Sequence, residues 1–97
     1  MISVDVTSRP RVLTVQNHGE SHVCAAVSLL VINTINAIEK FTGADFKTDY
    51  QENGGFIRFE LTGKAKHDVK LLWDTLMLGL KSVYEKYPDE IKITERK

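Results

Sequence analysis

The chain has 97 residues, 42% of them apolar and 27% charged, and its 13 basic and 13 acidic side chains leave a formal net charge of zero. A length near the common domain size predicts one domain, residues 1–97, burying somewhat more than about 60% of its unfolded surface. The mixed charges form no basic stripe or excess, which argues against nucleic acid as a direct ligand. The single cysteine cannot close an intramolecular disulfide. With no apolar N-terminal segment of signal-peptide type and no apolar run judged long enough to span a membrane, the expectation is a cytoplasmic protein with a reduced thiol and no membrane partner.

"ISVDV" alternates and places Ile2, Val4 and Val6 on one face of a strand. "TSRP" reads as a turn with Pro10 fixing the exit, and "RVLTV" as a second strand pairing antiparallel with the first. Asn17 to His22 is polar and reads as a loop. From about His22 to Phe41 the pattern turns helical, with Gly43 in a C-cap position. On that helix Val23, Ala26, Val27, Leu30, Ile35, Ala37, Ile38 and Phe41 form an apolar half. Leu29 and Ile32 fall instead among the polar positions, so a second covered side is expected.

"DFKTDYQ" is a strand, "NGG" at 53–55 a turn and "FIRFEL" the returning strand. A second helix runs from about Asp68 to Lys86, where Val69, Leu72, Trp73, Leu76, Leu80, Val83 and Tyr87 give a clean stripe. Gly79 beside that stripe suggests close backbone packing. "EIKIT" supplies a last short strand. The order ββαββαβ predicts an α+β two-layer domain, an antiparallel-rich sheet with both helices on one face.

The chemistry concentrates in "NHGESHVCAAVSLL", residues 17–30, where the loop-to-helix switch puts Cys24 in the first helical turn. With Ser21 as N-cap, Cys24 is the third helical residue. Unpaired N–H groups and the positive end of the helix dipole favour a thiolate there and could also hold the oxyanion of a tetrahedral intermediate. His18, just upstream, could fold back and accept the thiol proton. Two other readings stand beside this one: a buried cysteine acting as a small hydrophobe, and a metal site using His18, His22 and Cys24, which lacks a fourth ligand and any standard zinc spacing.

The stretch "NHGESHVCAAVSLL", and "VCAAVS" at 23–28 above all, resembles the signature of the ribosomal-processing cysteine proteases, the Prp family. "NGG" before a strand, the two helices and the length agree with that family. The resemblance implies a cysteine endopeptidase that removes a short N-terminal extension from a large-subunit ribosomal protein, cutting after an aromatic pair and before a small residue. It places the nucleophile on Cys24 and the base on His18, with Ser28 one helical turn beyond; it implies no metal or organic cofactor, and it suggests a homodimer. Three positions differ from the family pattern: Asn17 replaces a glycine, Ser21 stands where many members carry an aspartate, and only five residues separate His18 from Cys24. That short loop predicts a dyad already formed without substrate. The alternative is a non-catalytic binding or assembly factor for the same precursor.

The remaining residues read more plainly. Ser28 could bond the thiolate, the substrate or its own helix backbone. His22 and His67 read as surface residues, and Trp73, Phe46, Phe56 and Phe59 as core. Tyr84 and Tyr87 could line a groove. The off-stripe Leu71 and Leu78, with Leu29 and Ile32, are expected to be covered by a second copy of the chain.

Overall fold

Strands β1 (Ile2–Ser8) and β2 (Arg11–Gln16) form a hairpin, helix α1 (Ser21–Thr42) follows, and β3 (Phe46–Tyr50) and β4 (Phe56–Leu61) form a second hairpin. Helix α2 (His67–Lys86) then leads to β5 (Ile91–Arg96). These elements come from a computed structural model that describes residues 1–17, 19–51, 55–63 and 67–96. The order is the expected ββαββαβ, and the sheet runs β3-β4-β2-β1-β5. Both hairpins and the β2–β4 pair are antiparallel, whereas β5 lies parallel to β1. The parallel pair follows from α2, which carries the chain back along the sheet before β5 begins, as a crossover must.

Alternation decides which face is covered. Ile2, Val4 and Val6 of β1, Leu13 and Val15 of β2, and Ile57, Phe59 and Leu61 of β4 are all buried, and pairings such as Val4 with Val15 and Leu13 with Phe59 put them on one side. Val23, Val27, Val31, Ile35 and Ile38 of α1 and Val69, Trp73, Leu76 and Leu80 of α2 pack there, completing one core. Phe59 lies between Phe46 and Trp73, with ring centroids 5.2 and 5.9 Å away. The other face, with Asp5, Thr14, Arg58 and Glu60, stays partly open, and Arg58 and Glu60 pair at 2.9 Å.

Three expectations about the core are corrected. Phe41 is 69% exposed, and Val31 takes the place assigned to it, because the buried row steps by four residues from Val23 through Val27 to Val31 and then Ile35. Phe56 faces the open side, since the alternation of β4 gives the core to Ile57, Phe59 and Leu61. By length and composition α1 does reach what a membrane span needs, with 22 residues and a mean hydropathy of 1.6. Here it is a core helix with five fully packed side chains along one face.

The helix ends show their chemistry. Gly43 adopts the left-handed conformation at φ 68°, closing α1 as a C-cap glycine does. The helices run antiparallel, and at their crossing a Cβ on Gly79 would sit 3.2 Å from a methyl of Leu30. The close approach read from Gly79 is therefore present. Residues 53 and 54 of the "NGG" turn lie outside the described residues.

Candidate active site

Helix α1 starts at the same end of the sheet as β1 and β5, and Glu20 is its N-cap, not Ser21 as the sequence suggested. Glu20 has φ −58° and ψ 143°, and its carbonyl accepts the Cys24 N–H at 2.9 Å. The helix thus begins one residue earlier than expected, and Cys24 is its fourth residue. The Ser21 hydroxyl makes no cap bond to the backbone; it donates to Glu20 Oε1 at 3.4 Å. The physical reason lies in Glu20, whose own N–H is held at 3.1 Å by the carboxylate of Glu90 from the turn before β5.

This shift changes which groups can bind an anion. The N–H of Cys24 is committed within the helix, whereas those of Ser21, His22 and Val23 belong to the first turn, ahead of the helix's own hydrogen-bond ladder. Side chains on a helix lean toward its N-terminus, so the thiol of Cys24 leans over that turn. Cys24 is half-buried and packs at the margin of the core, between the fully buried Val23 and the exposed Ala25. It is neither a sealed core thiol nor a fully exposed one. Ser28 is also half-buried, one turn further along the same face. Thr34, Thr42, Thr75 and Ser82 bond the carbonyl four residues before them, but among the described residues Ser28 makes no such bond.

His18 lies outside the described residues, and so does its distance to the thiol. Asn17 takes φ 71° and donates its N–H to the Gly55 carbonyl at 3.1 Å. Gly19 packs on Ile2 and Glu90. His22 is exposed as expected, but it is engaged: Nδ1 pairs with the Glu20 carboxylate and its ring meets Tyr87 edge-on at 5.5 Å. His67, the first residue of α2, is at the surface. Tyr84 helps line a groove of about 710 Å³ between α2 and β5, together with Met1, Lys81, Pro88, Ile91 and Ile93. Glu90 was missed from the sequence, where nothing ties a residue 70 positions away to this helix end.

A half-exposed thiol over the anion-binding end of a helix is suited to nucleophilic chemistry. Comparison with known proteins gives the class. A family model described as "Cysteine protease Prp" matches residues 1–92. The ribosomal processing cysteine protease Prp of Bacillus subtilis is 30% identical over 81 residues, covering 79% of this chain and 72% of that protein. Its Staphylococcus aureus counterpart is 28% identical over 103 aligned positions, covering 96% and 97%. The crystal structure of the S. aureus protease with a covalently linked product peptide superposes with a TM-score of 0.90 over 99% of this chain and 100% of that one, at 24% identity. The protein is therefore a cysteine protease. Within that class, the chain belongs to the Prp family.

Proposed function

We propose that this protein is a cytoplasmic endopeptidase that removes a short N-terminal extension from the precursor of a large-subunit ribosomal protein, using Cys24 as nucleophile and His18 as base. One observation carries the assignment of the nucleophile: a cysteine protease of this family needs a reactive thiol, and the chain has one cysteine, half-exposed in the first turns of α1. The names of its B. subtilis and S. aureus relatives support ribosomal processing as the task.

In this mechanism His18 takes the thiol proton and the thiolate attacks the scissile carbonyl carbon. The tetrahedral oxyanion is held by the backbone N–H groups of Ser21, His22 and Val23. Protonated His18 gives its proton to the departing amine, leaving a thioester on Cys24. Water, deprotonated by His18, then hydrolyses the thioester and restores the thiol. Ser28 supports the site through its hydroxyl. Ser21 contributes its backbone, because its side chain turns to Glu20. No step uses a metal or organic cofactor.

The active species is a homodimer. Leu29, Ile32, Leu71 and Leu78 are 71%, 43%, 60% and 68% exposed on the outer faces of α1 and α2, a set of large apolar side chains that a second copy would cover. The defining experiment incubates the full-length ribosomal precursor with the protein and with its Cys24→Ala form, then weighs the products. Loss of the extension with the former alone is expected. An intact precursor that binds both forms equally would make the protein an assembly factor instead.

A further inference from the structure

We infer that Glu90 is a positioning residue for the site, its carboxylate fixing Gly19 and Glu20, which follow the proposed base in the chain, at the start of the nucleophile's helix; this rests on His18 and Cys24 acting as proposed above. Glu90 is itself firmly placed. Its N–H donates to the Tyr87 carbonyl at 3.0 Å, and its carbonyl accepts the Ile2 N–H at 2.9 Å, which joins the turn before β5 to the first residue of β1. From there its Oε2 accepts the Glu20 N–H at 3.1 Å. A Cβ on Gly19 would meet the same oxygen at 3.2 Å and Ile2 side-chain carbons at 3.1 Å, so the Gly19 backbone lies directly against both.

The residues before and after position 18 in the chain are both anchored. On one side the Asn17 N–H is tied to Gly55, ahead of β4, and on the other Gly19 and Glu20 are tied to Glu90. The anchors thus fall at 17 and at 19–20, immediately before and after the proposed base in the chain. Glu20 is also the joint between the two catalytic parts, since its N–H goes to Glu90 and its carbonyl takes the Cys24 N–H. A carboxylate at the positive end of α1 makes a charge-assisted bond there, stronger than a neutral one. Glu90 touches neither the thiol nor a reacting atom by this account; it acts by holding the segment that does.

The test compares Glu90→Ala, Glu90→Gln and His18→Ala in the full chain, reading kcat and KM on the precursor and the rate of iodoacetamide alkylation of Cys24. Loss of the anchor should lower kcat about tenfold or more in Glu90→Ala, because small misplacements of a catalytic group carry large rate penalties. KM should change less than twofold, and alkylation should slow. Glu90→Gln keeps an acceptor for the Glu20 N–H and should restore most of kcat, a recovery that a general loss of stability would not follow. If Glu90→Ala does not fold, Gly19→Ala takes its place, because its added methyl displaces the carboxylate while leaving Glu90 present. Wild-type kcat in Glu90→Ala or Gly19→Ala, or equal losses in Glu90→Gln and Glu90→Ala, would overturn the inference. Wild-type cleavage and alkylation in His18→Ala would instead overturn the dyad itself.

Discussion

Replacing Gly79 with alanine sets two effects of similar size against each other. In the interior of α2, alanine gains about 0.8–1.0 kcal/mol over glycine from backbone entropy alone. Against this, the new methyl would stand 3.2 and 3.4 Å from the two terminal carbons of Leu30, so that side chain must move by a few tenths of an ångström. Leu30 is only half-buried, so its end can turn toward solvent, at about 0.5 kcal/mol for a modest departure from its rotamer. The expected net result is a gain of about 0.5 kcal/mol, or roughly 2–4 °C in Tm for a domain of this size. Urea denaturation at one fixed protein concentration measures it, since any association would otherwise shift the midpoint. The same substitution in a Leu30→Ala background meets no other atom closer than 3.8 Å and should return the full gain of about 1 kcal/mol. Equal gains in the two backgrounds, or a net loss in the wild-type background, would refute this account of the crossing.

Further outcomes follow from exposure and charge. Leu80→Ala, at a fully buried site, should cost about 2–5 kcal/mol in urea denaturation, whereas Phe41→Ser should stay within about 0.5 kcal/mol despite the size of the side chain. Leu29→Glu combined with Leu78→Glu should shift sedimentation toward the monomer at micromolar concentration; an unchanged mass would remove these residues from the interface. Asp74 accepts a hydrogen bond from Lys70 at 2.9 Å, which, with the charges of Lys70 and Arg11 and against a smaller effect of desolvation, holds its carboxyl below the usual 3.8. A folded value below the unfolded one means that the pair stabilises above the unfolded value and that this contribution is lost as pH falls through the lowered one. An NMR titration of Asp74 should therefore move up in Lys70→Met; an unmoved titration would contradict the pairing.

What the sequence disclosed depended on range. The stripe of α2 was legible because Val69, Trp73, Leu76 and Leu80 repeat at helical spacing, and all four are buried. The strand alternation was equally legible, and Gly43 closes α1 as its residue type predicts. The errors came where apolarity did not reveal direction. In α1 the apolar residues lie on more than one side, Leu29 and Ile32 among the polar positions, so a wheel could not separate Phe41, which faces water, from Val31, which does not. At the candidate site the cysteine and its place near a helix start were evident from "HVCAAVS". The exact start was not, because Ser21 is the better capping residue by type and yields to Glu20, whose N–H is held by a side chain from the far end of the chain.

That distant contact gives the order of synthesis a bearing on activity. β5 pairs with β1 across nearly the whole length of the polypeptide, Ile2 beside Ile91, and closing so long a loop comes late on topological grounds. Glu90 sits at the entrance to that strand and reaches the Gly19–Glu20 segment only when β5 has docked. A chain made N-terminus first therefore contains Cys24 before it contains the residue that holds Gly19 and Glu20. With Glu90 acting as proposed, proteolytic competence would be a property of the completed fold, withheld from the growing chain by the connectivity of its sheet.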